Sequence, residues 1–234
     1  MFTLEILDAI NKTEKSSRGE YEITESIQKS IDSGNLFGYY EINNWFDLSY
    51  PWDLLRANEI EIQKVSPVNA GTIEDNVTIK GTISLGENSI IRSGAYIDGP
   101  VIIGRDCDIG PNCYLRAGST IGDGCHIGAG VEIKNSIIMN GTKIPHLSYV
   151  GDSIIGRNCN LGAGTKIANL RFDKKEIFAG KINTRRRKFG TVMGDNVQTG
   201  INAMVDTGCL IGDNCFIGPG ATARGVISPG TRVY

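Results

Sequence analysis

The chain has 234 residues, a formal net charge of -2, 30 glycines, seven phenylalanines and two tryptophans. This length admits one large domain or two small ones, and a glycine-rich, aromatic-poor mixture suits repeated tight turns better than a helical bundle. The small net charge gives no reason to expect nucleic-acid or membrane-surface binding, and with no charged leader or apolar run of about twenty residues the chain reads as soluble and cytoplasmic.

Residues 1–65 differ in pattern from the rest of the chain. "LEILDAI" and "EITESIQKSI" have helical apolar spacing, "FGYYEI" and "NNWFDLSYPW" read as strand and turn, and "PWDLLRANEIEI" reads as a helix opened by Pro51. This small α/β segment is expected to cap the first coil of the adjoining domain, whose open edge would otherwise invite aggregation.

From Ile73 an aliphatic residue recurs at every sixth position, through Ile79, Leu85, Ile91, Ile97, Ile103, Ile109, Leu115, Ile121, Ile127 and Ile133, with Met139 next in the count. Hexapeptide periodicity predicts a mainly β protein built as a parallel β-helix over residues 66–234. Three six-residue walls close a triangular coil of eighteen residues, and neighbouring coils stack at the ordinary strand spacing of about 4.8 Å. The rhythm returns at Ile155, Leu161 and Ile167, and again from Met193 through Thr199, Val205, Ile211 and Ile217, then weakens at Ala223 and Pro229. All six cysteines (107, 113, 125, 159, 209, 215) fall four residues after an aliphatic position. They are expected to be free, buried core thiols, although Cys107 and Cys125 stack closely enough to suggest a bridge.

Three features break the pattern. Arg116 and Lys134, eighteen apart, both follow directly on an aliphatic residue and would stand one above the other. Stacked like charges suggest a bridging anion, but spacing alone favours two solvated cations. In "KIPHLSYVGDSIIG" the intervals from Ile144 to Val150 to Ile155 are six and then five, so the count slips beside His146. Such a slip re-aims side chains, as bulges do beside active sites, while a lone histidine by itself reads as structural. His126, in an unbroken hexad, reads as exposed. Residues 171–192 interrupt the coils, and 171–188 carry eight Lys or Arg against two acids. That run is either a solvated loop or an arm that meets phosphate groups.

The hexads, together with "HLSYVGD", "NLGAGT" and "ANLRFDKKE", resemble the acetyltransferase half of the bifunctional sugar-1-phosphate nucleotidylyltransferase/acetyltransferases, particularly the archaeal form. The resemblance implies a left-handed β-helix, a homotrimer with active sites between subunits, and acetyl transfer from acetyl-CoA to the 2-amine of glucosamine 1-phosphate, with galactosamine 1-phosphate also admitted. This chemistry requires no metal and serves UDP-N-acetylhexosamine synthesis. By the same resemblance His146 is the catalytic base and Ala163 offers its N–H to the thioester oxygen. Arg116 and Lys134 would hold the phosphate, Tyr149 and Asn160 the sugar, Asn169 and Lys175 substrate and cofactor, and Ala163, Ile201 and Pro219 would line the coenzyme.

The front segment resembles the end of the family's nucleotidylyltransferase domain without the Gly-rich nucleotide loop, so uridylyl transfer is not expected of this chain. Asp47 matches a family metal-binding aspartate whose partner carboxylate is missing, which favours a relic or capping role. Two other classes compete: a non-catalytic trimeric scaffold or subunit partnering a separate nucleotidylyltransferase, and a zinc hydratase. The last would need three histidines where only His126 and His146 exist.

Overall fold

The computed structural model describes residues 3–43 and 45–234, arranged as two compact units, Met1–Trp45 and Phe46–Tyr234. No helix among the described residues is long and apolar enough to cross a membrane.

In the first unit, helices α1 (Glu5–Asn11) and α2 (Ile23–Asp32) pack together and are joined by a 2.8 Å hydrogen bond between the buried hydroxyls of Thr13 and Ser26. No strand forms over residues 37–42, where the alternation in "FGYYEI" predicted one, and Tyr39, Tyr40 and Ile42 are exposed. Strand propensity alone does not make a strand, because a ladder partner must supply the hydrogen bonds. Asn44, in the predicted strand and turn, lies outside the described residues.

The second unit is a coil of parallel strands forming three walls of nine, nine and eight strands. Successive strands of one wall lie one full coil apart in sequence, as Val101–Ile103 does from Ser119–Ile121 in the first wall. Inward aliphatics stack into one continuous core that includes Ile91, Ile109, Ile127, Ile144 and Leu161. Each fully buried aliphatic side chain contributes about 1.5–3 kcal/mol. Asparagine serves many corners in the left-handed conformation, for example Asn88 (φ 58°) and Asn214 (φ 58°), which its short polar side chain tolerates.

The count of six shortens earlier than the sequence suggested. Leu115 pairs with Ile133, eighteen residues on, but Ile121 pairs with Ile138 and Ile133 with Val150, both seventeen on. Ile138 is therefore the core residue, and Met139 turns outward. The two deletions fall at the corner between the third and first walls, at Asn135 (φ 45°) and Asp152 (φ 49°), and not at His146. A further shortening near the C-terminus pairs Ile211 with Ile227 and leaves Pro229 outside the core.

Helix α3 (Asp53–Glu61) does not sit over the first coil. Its Trp52 and Leu55 cover the outer face of the first wall, against Ile137, Ile154, Val192 and Leu210, and Asn58 hydrogen-bonds Gly118 O and Thr120 Oγ1. The inserted loop shares this cover. Ile177, Ala179 and Phe189 are buried there, and the Phe189 ring meets Trp52 edge-on at 6.0 Å. The basic insertion is thus anchored by its apolar residues.

All six cysteines are free and buried. Burial pushes the Cys113 and Cys209 thiols up to about 12 and Cys159 to about 11, while a hydrogen bond from Cys125 lowers its stacked neighbour Cys107 to about 7. A thiol reagent at pH 8 is expected to label none of the six in the folded chain and all six after unfolding. Burial withholds reagent access from every one of them, and at Cys113, Cys159 and Cys209 it withholds the thiolate as well. Adducts counted by mass spectrometry test this, and labelling of Cys113 or Cys209 in the folded chain would contradict it.

Candidate active site

Two corners and the wall between them collect most of the residues singled out by sequence. At the corner between the second and third walls, Ala129, His146, Ala163, Ile201 and Pro219 occupy equivalent places on successive coils. Leu147 N–H donates to Ala129 O (2.9 Å), Gly164 N–H to His146 O (3.2 Å), Asn202 N–H to Ala163 O (2.8 Å) and Gly220 N–H to Ile201 O (2.9 Å). His146 is exposed at the end of strand Lys143–His146, and Leu147 beside it takes a positive φ of 49°. The Ala163 N–H has no partner among the described residues, so it remains free to donate.

On the outer face of the third wall, Glu132 stacks directly on Tyr114 and beneath Tyr149. Arg116 follows Leu115 and donates to Glu132 Oε1 at 2.8 Å, which holds the guanidinium above its ordinary pKa. Lys134 reaches Asp152 at 2.8 and 2.9 Å. The two cations therefore stand on neighbouring coils as the spacing required, but each already faces a carboxylate. Their stacking does not by itself require a bound anion.

At the corner between the third and first walls, Asn135, Asp152 and Asn169 are spaced by seventeen. Asp152 accepts from Lys134, from Asn135 Nδ2 (2.9 Å) and from Asn169 Nδ2 (2.5 Å), and Asn169 Nδ2 also lies 3.1 Å from Tyr149 Oη. Asn135 donates as well to Glu59 Oε1 (2.8 Å) of α3, and Glu59 is ion-paired with Arg186 of the inserted loop. Gly151 is needed beneath this group, because a Cβ there would lie 2.5 Å from both Tyr149 Oη and Asn169 Nδ2. Burial raises the Tyr149 pKa; the Asn169 hydrogen bond opposes this and the Asp152 carboxylate adds to it.

The structure therefore joins Arg116, Lys134, Tyr149 and Asn169 on one face, and aligns His146, Ala163, Ile201 and Pro219 along its border. Asn160 lies elsewhere, exposed on the outer face of the second wall between Lys143 and Gln198. Lys175 lines a shallow pocket of about 510 Å³ bounded wholly by the inserted loop, with Arg171, Lys174, Glu176, Phe178, Asn183 and Arg187. Of that loop's cations, Arg186 is held by Glu59 and Arg171 by Asp173 at 2.8 Å. Asp47, the metal-site match, accepts from Ser49 Oγ at 2.9 Å. His126 lies 3.7 Å from Asp108. Sequence reasoning missed Asp152, Asn135 and Glu59. The shortened count at Asn135 and Asp152 was the available signal for two of them.

These coils, corners and hexads define a left-handed parallel β-helix of the hexapeptide-repeat type. The family description "Bacterial transferase hexapeptide (six repeats)" matches residues 190–225, and "GMPPB C-terminal domain" matches residues 97–206. The chain is 41% identical over its whole length to the "Bifunctional protein GlmU" of Methanocaldococcus jannaschii. It is 42% identical over 94% of its length to the "Bifunctional sugar-1-phosphate nucleotidylyltransferase/acetyltransferase" of Sulfurisphaera tokodaii. It is similar to these archaeal proteins along nearly all of its own length, and spans 58% and 56% of the length of the two relatives. Among solved structures, the acetyltransferase domain of PglB from Neisseria gonorrhoeae in complex with acetyl coenzyme A is 14% identical and aligns over 70% of this chain and 50% of that one, with a TM-score of 0.32.

Proposed function

We propose that the chain is an N-acetyltransferase that moves the acetyl group of acetyl-CoA to the 2-amine of glucosamine 1-phosphate, with galactosamine 1-phosphate as a second acceptor. The observation that carries this reading is the corner column in which His146, Ala163, Ile201 and Pro219 follow one another along the border of the wall whose outer face carries Arg116 and Lys134. The reading is consistent with what the relatives' names describe.

Arg116 and Lys134 orient the sugar phosphate, and Tyr149 and Asn169 meet the sugar. The uncharged amine attacks the thioester carbonyl carbon, and the Ala163 N–H faces the oxygen on which negative charge develops. His146 takes a proton from the attacking nitrogen. As the carbon–sulfur bond breaks, the coenzyme thiolate leaves with the bonding electron pair and is protonated from the imidazolium. Alignment of two bound substrates supplies much of the acceleration.

We place this site in a homotrimer. Asn160 and Lys175, which lie apart from the network within one chain, would be brought to it by a neighbouring subunit. Thiol release from acetyl-CoA, measured on the trimeric fraction with glucosamine 1-phosphate and galactosamine 1-phosphate in turn, tests the activity. A trimer that releases thiol with neither acceptor would refute the proposal.

A further inference from the structure

Neither the hexad pattern nor the family resemblance gives Asp152 a role, yet three residues of the site or its support, Lys134, Asn135 and Asn169, converge on it. Its side chain is only 3% exposed. A carboxylate can only accept hydrogen bonds, so every group facing it must donate: the Lys134 ammonium and the NH2 groups of Asn135 and Asn169. For Asn169 this decides which way the amide is turned. With Nδ2 committed to Asp152 and to Tyr149 Oη, Asn169 Oδ1 has no partner among the described residues and can serve only as an acceptor. Tyr149 Oη already accepts from Asn169, so its own hydrogen remains to be donated. The buried charge passes its polarity through two side chains to the outer face of the wall.

We infer that Asp152 is a positioning residue that sets the hydrogen-bond polarity of the acceptor site, presenting Asn169 Oδ1 as a fixed acceptor beside the Tyr149 hydroxyl as a fixed donor. The complementary ligand carries an N–H or O–H group next to an oxygen that can accept. A 2-amino sugar offers that pair in its amine and a neighbouring hydroxyl. The inference rests on the acetyltransferase reading above and deepens it.

Asp152→Asn preserves the shape and replaces one acceptor oxygen by a donor, which then opposes either Lys134 or Asn169. The expected result is a loss of about ten- to hundredfold in kcat/KM for glucosamine 1-phosphate, the range for hydrogen bonds to a charged group. The KM for acetyl-CoA should stay constant. In an Asn169→Ala background the same substitution should cost less than about threefold, because its path through Asn169 is gone and the amide oxygen that remains at this position can still accept from Lys134. Melting curves establish that each variant is folded.

Should Asp152→Asn fail to fold, Asn169→Asp keeps the inference testable. It sets two carboxylates against each other and should be more damaging than Asn169→Ala. Wild-type kinetics from Asp152→Asn, an equal loss in both backgrounds, or an Asn169→Asp variant no worse than Asn169→Ala would each overturn the inference alone. A wild-type chain that acetylates no hexosamine 1-phosphate would overturn the functional reading and this inference with it.

Discussion

Replacing His146 by alanine is expected to slow thiol release by about 10²- to 10⁴-fold, the usual contribution of a positioned general base. The loss should fall on kcat, with the KM for the sugar phosphate nearly unchanged, because the proposed mechanism assigns phosphate and sugar to other residues. The fold should tolerate the change. His146 is exposed, and its place in the coil is held by its backbone carbonyl, which accepts from Gly164 N–H and from Ser148 Oγ at 2.8 Å. Removing an exposed imidazole leaves that ladder in place, so the melting temperature should move little. Stopped-time thiol assays beside calorimetric melting provide the check. A folded variant with undiminished kcat would remove His146 from the mechanism and leave the corner column as a structural feature.

The second large effect is on stability. Lys134→Met leaves the buried Asp152 carboxylate without its cation, and breaking such a pair from one side costs about 3–5 kcal/mol. The double variant Lys134→Met with Asp152→Asn removes the stranded charge and should recover most of that loss in a denaturant titration. It should not recover affinity for hexosamine 1-phosphate, because the cation proposed to hold the phosphate is still missing. Recovery of both together would show that Lys134 matters only through the fold. Recovery of neither would mean that the ion pair is not what holds this corner.

Most of the coil is legible from sequence for a steric reason. Inward positions at Ile91, Ile109 and Ile127 recur because each must fill the same space above its neighbour, and solvent-facing residues between them keep the contrast sharp. Legibility fails where that contrast disappears. In "IIM" at 137–139 all three residues are apolar, because α3 and the inserted loop cover the outer face of the first wall, so the inward residue cannot be told from the outward ones. The same run hides the deletion at Asn135, and the pattern sets the later slip beside His146 when it belongs to Asp152. Asp152 itself looks like any acid at a turn; its burial and its partners come from residues seventeen or eighteen away in either direction and from their packing.

By itself the sequence determined the parallel β-helix, the core positions of the six thiols and the stacking of Arg116 on Lys134, since these follow from a period repeated along the chain. Tertiary structure alone decided that α3 lies along a wall, that the basic loop is anchored beside it, and that Asp152 ties Lys134 to Asn169 and Tyr149. Periodicity specifies which side of a wall a residue occupies. Which donors face a buried carboxylate depends on how successive coils are offset, and each shortened corner shifts that offset by one residue.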